Sequence, residues 1–177
     1  MISLKALALI RNYESLHDGD LSVIGCQPKM DCLGIWTVGY GHAIIDPTTL
    51  RFLKGAANKA RAYELYPSMS ESEAEALLQR DLGRYEANFR SRVTVSINEE
   101  QRGALVSFMY NCGMGSFNGS TLLKLLNRGE REKAAEQLLL WDKGQDLNGR
   151  MVALPGLTAR RKSERELFLT GSLKFYN

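Results

Sequence analysis

The sequence predicts an α+β fold, mostly α, arranged as two lobes. Residues 16–50 are punctuated by glycine and proline and carry short β-type runs, whereas residues 3–15 and the chain beyond Ser70 carry apolar residues at helical spacing. The length of 177 residues fits one compact domain, or two small lobes sharing an element. With 44% hydrophobic and 24% charged residues the composition is that of an ordinary globular chain, which excludes disorder as the main state. A chain of this size buries roughly 70% of its unfolded surface and needs no metal or disulfide staple to fold.

The elements follow in order. Leu4, Leu7, Ala8 and Arg11 set an i, i+3, i+4 rhythm for a first helix over 3–15, with Glu14 on its last turn. A carboxylate is disfavoured at a helix C-terminus, so Glu14 reads as placed for something other than stability. Leu21–Ile24, Ile35–Val38 and Ala43–Ile45 are strand candidates in a small antiparallel hairpin or meander. Residues 51–67 are ambiguous, with Gly55 and Pro67 indicating a surface excursion. Ser70-x-x-Glu73 is a capping box, and Ala74, Leu77, Leu78, Leu82, Tyr85 and Phe89 form one stripe behind it. Asn98-x-x-Gln101 opens another helix ending at Gly113, and shorter helices are expected near 121–127 and 130–141. A loop with Gly144, Gly149, Pro155 and Gly156 leads to a last helix opened by Thr158. The expected division is a β-rich lobe over about 16–70, a linking helix over about 71–92, and a helical lobe from 1–15 and 93–177, with a ligand cleft between the lobes.

Charge and rare residues exclude several function classes. The net charge is +3, but residues 1–123 carry 12 basic and 13 acidic residues while 124–177 carry 11 and 7. The basic excess thus sits at the back of the chain, where a polyanionic surface would meet it first. No concentrated Lys/Arg helix with base-reading residues is present, so nucleic acid is not the expected partner. Two histidines and three cysteines lack CxxC or HxxxH spacing; a zinc site would need His42, Cys112 and either His17 or another cysteine, so no metal or cofactor is expected. Cys26 and Cys32 lie close enough in sequence to pair if their loop folds back. No apolar run approaches the ~20 residues of a bilayer span, and the N-terminus lacks a processing signal, so neither membrane insertion nor a secretory leader is expected.

The densest chemical signal is Asp31-Cys-Leu-Gly34-Ile-Trp-Thr37-Val-Gly39-Tyr-Gly41-His42. An Asp and a Thr six apart across a turn and a strand can face one water; equally, the Asp can cap the turn while the Thr is a strand residue. Glu14 shifts the balance. Two carboxylates and a hydroxyl around one space are the equipment of glycoside hydrolysis, an acid for the leaving oxygen and a carboxylate for the water. His42 reads as structural, closing the turn. Trp36 and Trp141 read as core residues able to flank sugar rings. A Cys112 nucleophile would need a partnered histidine.

Glu14 followed by Asp31-x-x-Gly34-x-x-Thr37-x-Gly39-x-Gly41-His42 resembles the catalytic region of the phage-type lysozymes, the endolysins of glycoside hydrolase family 24. The resemblance continues in order through Leu105-Val-Ser107-Phe108-Met-Tyr110-Asn111-Cys-Gly113, Phe117-Asn-Gly-Ser120-Thr121, Ala134-Ala135 with Trp141, and Gly156-Leu157-Thr-x-Arg160-Arg161-x-x-Glu164-Arg165-x-Leu167-Phe168. It covers nearly the whole chain and implies a lysozyme-like fold.

The resemblance also implies an activity: hydrolysis of the β-1,4 bond between N-acetylmuramic acid and N-acetylglucosamine in peptidoglycan. It maps Glu14 as general acid, with Asp31 and Thr37 positioning the attacking water for inversion. Arg160 corresponds to the arginine that pairs with the catalytic Glu, and Tyr110, Ser120 and Gln137 to substrate-binding residues. One departure is the 17-residue gap from Glu14 to Asp31, longer than in many members, which makes Asp20 a rival for the Asp role. Asp31 is preferred because Gly34 and Thr37 follow it at the family's spacing. The resemblance further implies a monomer made in the host cytoplasm that reaches the wall through a membrane lesion opened by a separate holin. A catalytically inactive or transglycosylase-like wall-binding relative is the alternative.

Overall fold

The computed structural model describes residues 2–16, 18–31, 33–145 and 149–177. The expectations that involve His17 and Cys32 lie outside them. The chain divides into two compact units, one of residues 1–13 and 82–177 and one of residues 14–81.

The second unit begins at Glu14, the last residue of helix α1 (Leu4–Glu14). The helix stops there because Ser15 adopts φ 56°, a left-handed conformation that no helical turn can continue. Strands β1 (Lys29–Met30), β2 (Trp36–Val38) and β3 (His42–Ala43) follow in one antiparallel sheet. Lys29 pairs with Thr37 and Met30 with Trp36; Thr37 then pairs with Ala43 and Val38 with His42. The segment around Leu53 closes the sheet: Trp36 N donates to Leu53 O at 2.9 Å and Leu53 N to Ile44 O at 2.9 Å. Trp36 is buried as expected, and its indole N–H donates to Gly55 O at 2.9 Å.

Leu21–Ile24, expected as a strand, is a turn-and-bend segment with Leu21 89% and Ile24 96% exposed. Two Asx turns override its β-branched character: Asp18 Oδ1 accepts from Asp20 N and Asp20 Oδ1 from Ser22 N, each at 3.0 Å. The ambiguous 51–67 stretch contains helix α2 (Lys59–Leu65). Helix α3 (Glu71–Arg92) starts at the expected capping box, with Ser70 N donating to Glu73 Oε2 at 2.8 Å and Glu73 N to Ser70 Oγ at 3.3 Å. The unit boundary cuts α3 between Asp81 and Leu82.

The first unit is built around α4 (Glu99–Cys112), whose residues Gly103 to Met109 are all buried. Its capping box between Asn98 and Gln101 is complete. Helices α5 (Met114–Gly119), α6 (Thr121–Asn127) and α7 (Arg131–Leu138) follow; α5 was not anticipated. Helix α7 ends three residues short of expectation because Leu139, Leu140 and Trp141 bond back to the third residue before them, a tighter winding than the α-helix. Trp141 is only partly buried, its ring edge-on to Phe108 at 5.4 Å. The expected loop with Gly144, Gly149, Pro155 and Gly156 instead holds an antiparallel pair, β4 (Lys143–Gln145) and β5 (Met151–Ala153). The last helix, α8 (Pro155–Thr170), opens at Pro155 rather than Thr158. A proline suits the first helical turn, where its missing N–H has no partner to lose. Thr158 Oγ1 donates to Asp142 Oδ2 at 2.9 Å. Helix α8 packs on α4 and α7, with Leu167 and Phe168 buried between them.

Candidate active site

Asp31 stands at the turn between β1 and β2, and its backbone and side chain build that turn together. Asp31 N donates to Ile35 O at 2.8 Å, and Oδ1 accepts from Leu33 N at 2.9 Å and Ile35 N at 2.8 Å. Gly34 closes the turn at φ 78°, where a side chain would be strained. The turn-capping reading of Asp31 is what these bonds show. Oδ1 caps the turn, and Oδ2 has no hydrogen-bond partner among the described residues.

Thr37 lies opposite Lys29, is 5% exposed, and donates from Oγ1 to Lys29 O at 3.0 Å. Opposed residues in an antiparallel pair share a face, and alternation returns to that face two residues on. Lys29, Asp31, Ile35 and Thr37 thus lie on one face, with Asp31 and Thr37 diagonal neighbours. Diagonal positions are roughly 7–8 Å apart along the backbone, a gap that two short side chains can bridge through one water. Glu14, Asp31 and Thr37 all fall within the second unit.

Asp20, the rival, is committed to its own loop, where bonds from Ser22 hold its carboxyl below the usual carboxylate range. His42 does more than close a turn. Its Nδ1 lies 2.7 Å from Asp81 Oδ2 on α3, and its Nε2 3.5 Å from Tyr66 Oη. Burial pushes the Tyr66 hydroxyl above its ordinary range. Asp81 and Tyr66 were not singled out from the sequence, since nothing at positions 24 and 39 residues from His42 announces them.

The remaining predicted residues lie in the first unit. Arg160 is 3% exposed; its Nε donates to Glu164 Oε1 at 3.2 Å, its Nη2 to Ser107 O at 3.2 Å, and its guanidinium lies 5.8 Å from the Tyr13 ring centre. Fully buried Arg161 shares Glu164, with Nη2 donating to Oε1 at 3.1 Å and to Asn111 Oδ1 at 3.0 Å. Ser107 Oγ completes the carboxylate's shell at 2.8 Å. Cys112 and Cys26 are free thiols, each pushed up by burial, and Arg161 Nη1 sits 2.8 Å from Cys112 Sγ. Tyr110 packs against Tyr85 with ring centres 5.3 Å apart. Ser120 is the N-cap of α6: its Oγ accepts from Leu123 N at 3.1 Å and donates to Phe117 O at 2.7 Å. Gln137 is half-buried on α7. Among the described residues no three His, Cys, Asp or Glu side chains cluster as a metal site, and no helix is long and apolar enough to cross a membrane.

Comparison with known proteins gives a consistent result. The phage lysozyme family model matches residues 23–164, which takes in Asp31, Thr37 and Arg160 and leaves Glu14 upstream. The endolysin of Acyrthosiphon pisum secondary endosymbiont phage 1 is 32% identical over 167 residues, 94% of this chain and 97% of its own length. Among solved structures, the endolysin from Escherichia coli O157:H7 phage FAHEc1 superposes with TM-score 0.75 at 27% identity, covering 98% of this chain and 96% of that one. The muramidase domain of SpmX from Asticaccaulis excentricus gives 0.72 at 28% identity, covering 96% and 98%. The fold is accordingly the mostly helical α+β lysozyme fold. With the family pattern running through the Asp31–Thr37 hairpin and on into α8, the chain belongs to the phage lysozyme family.

Proposed function

We infer that this protein is an endolysin of the muramidase type, a glycoside hydrolase that cleaves the β-1,4 bond between N-acetylmuramic acid and N-acetylglucosamine in bacterial peptidoglycan and thereby lyses the cell. The observation that carries the reading is the split use of Asp31, one oxygen in the turn and the other open to a water. Thr37 gives its proton to Lys29 O, so it meets that water through its lone pairs. The water then donates one hydrogen to Thr37 Oγ1 and the other to Asp31 Oδ2, leaving its own lone pair for the anomeric carbon. Glu14 gives its proton to the glycosidic oxygen as the bond breaks, and Asp31 takes the proton of the water. Attack opposite the leaving group inverts the anomeric centre. Arg160 is the proposed partner of Glu14, and Tyr110 and Gln137 the proposed sugar contacts. Ser120 is assigned to the same substrate-binding group, acting through the start of α6 that it caps.

The protein acts on the cell wall. We assign it a monomeric state, and a route from host cytoplasm to periplasm through a membrane lesion made by a separate holin. The decisive experiment is digestion of purified peptidoglycan with mass analysis of the fragments. New reducing ends establish the muramidase; anhydro ends indicate a transglycosylase; binding without release indicates an inactive relative. Glu14→Gln should fold normally and lose activity by roughly 100- to 10,000-fold, the usual contribution of a general acid. Full activity in that variant would refute the assignment of Glu14.

A further inference from the structure

We propose that Tyr13 is a positioning residue for the reaction: a closed hydrogen-bond ring around its hydroxyl fixes the end of α1 and so the direction in which Glu14 presents its carboxyl. The proposal rests on the assignment of Glu14 as general acid.

Two groups from two other parts of the first unit meet this hydroxyl. Tyr13 Oη lies 2.7 Å from Ser163 Oγ on α8 and donates to Tyr176 O at 3.3 Å. Tyr176 N in turn donates to Ser163 Oγ at 3.4 Å. One proton arrangement satisfies all three contacts. Ser163 donates to Tyr13, Tyr13 donates to the Tyr176 carbonyl, and the Tyr176 amide donates to Ser163. Ser163 is fully buried, so a broken link there leaves a polar group without water to replace it.

The ring of Tyr13 is held as firmly as its hydroxyl. Phe175 meets it edge to face, with centroids 6.4 Å apart at 63°, and the Arg160 guanidinium lies 5.8 Å from its centre. Arg160 and Ser163 stand three apart on α8 and so reach Tyr13 from one helix face. Ala6, Leu9 and Ile10 bury the rest of the same side of α1.

The location gives this clamp its consequence. Tyr13 is the last residue of the first unit and Glu14 the first of the second, and Ser15 leaves helical geometry at φ 56°. Glu14 therefore has no helix beyond it to hold it. Its backbone belongs to the last turn of α1, which Tyr13 anchors. A general acid displaced by about 1 Å can lose on the order of 100-fold in rate, so a small rotation of this last turn is enough to be read in turnover.

The test compares Tyr13→Phe, which keeps the ring, and Ser163→Ala, which removes the partner, with the parent protein on purified peptidoglycan across pH. Each single variant is expected to lower kcat roughly 5- to 30-fold at unchanged KM and to displace the limb of the pH–rate profile that reports the general acid. The double variant is expected to cost no more than the worse single one, since both break one ring. Unchanged kcat and pH profile in Tyr13→Phe would overturn the proposal, as would a loss that merely tracks a fall in Tm or appears in KM. Glu14→Gln, run alongside, keeps the two readings apart: if it retains activity, the assignment of Glu14 fails whatever Tyr13→Phe does.

Discussion

Asp31 and Ile35 are joined twice, by the bond from Asp31 N to Ile35 O and by the bond from Ile35 N to Asp31 Oδ1, both at 2.8 Å. The carboxylate proposed to hold the attacking water is thus also a structural strut, and its two oxygens can be tested apart. An Asn at this position keeps an acceptor oxygen for the turn but loses the negative charge that receives the proton. Asp31→Asn should stay folded with nearly unchanged Tm and lose activity by roughly 100-fold or more. Asp31→Ala should lose activity and also about 1–2 kcal/mol of stability, because Leu33 N and Ile35 N lose their acceptor. Thermal melts of the pair decide the point; equal stability in both variants would remove the strut from the account.

The second prediction concerns His42 and Asp81. Their side chains are 15% and 9% exposed and meet at 2.7 Å, tying β3 to α3 inside the second unit. β3 is the neighbour of the strand that carries Thr37. His42→Ala leaves Asp81 with one hydrogen-bond partner fewer in a largely buried place, at a cost of about 1–3 kcal/mol. Asp81→Asn keeps the shape but weakens a charge-assisted contact and should cost less. Urea unfolding of both variants checks the order, and a His42→Ala protein as stable as the parent would contradict it.

How much of this was legible beforehand depends on how far apart the cooperating residues lie. The capping boxes of α3 and α4 are readable because donor and acceptor stand three residues apart, so the local sequence contains the whole interaction. Asp31 and Thr37 are readable for a related reason: six residues with Gly34 between them is one hairpin turn. β1 was missed because a two-residue strand has no period to detect. It forms because Asp31 folds the chain back on itself. β4 and β5 were missed because Lys143–Gln145 is polar and glycine-interrupted, with no apolar alternation to mark it. The exposed Leu21–Ile24 segment misled in the opposite direction, since its composition suits a strand while two aspartates bend its backbone away. The partners of His42 and Tyr13 lie 39 and 150 residues away, and only the fold brings them together.

The third prediction is a pH dependence. Asp46 Oδ1 accepts from Thr48 N at 2.7 Å and Thr49 N at 3.0 Å, while Arg61 Nε donates to Oδ2 at 2.9 Å. The Arg61 guanidinium, helped by the two backbone amides, holds the carboxyl well below the usual range, at about 2. An unfolded aspartate titrates at about 3.9, so between these values the unfolded chain binds the extra proton and acid favours unfolding. The stabilisation is complete above about pH 4 and is lost as the pH falls through about 2. Asp46→Asn should therefore be less stable than the parent near neutral pH, and the gap between their denaturation midpoints should close across that acid window. A gap that persists at full size to the acid end would show that Asp46 does not act through its charge.

The last prediction follows from the balance of charge inside the first unit. Glu164 is fully buried and accepts from both Arg160 and Arg161, each itself buried. Arg161 Nε also lies 2.9 Å from Oε2, off the line of its N–H, so that contact is ionic rather than a hydrogen bond. Removing the carboxylate leaves both guanidiniums in a medium that solvates them poorly, and breaking a buried pair by deleting one partner typically costs about 3–5 kcal/mol. Glu164→Gln should accordingly be among the most destabilising single substitutions in the protein, although it keeps the volume and one acceptor oxygen. Arg161→Met removes one cation and leaves Glu164 still bonded to Arg160, so it should cost less despite the lost bonds to Asn111 and Cys112. Denaturation of the two variants side by side measures the order. If Arg161→Met proves the worse of the two, the geometry of the arginine network outweighs its charge balance.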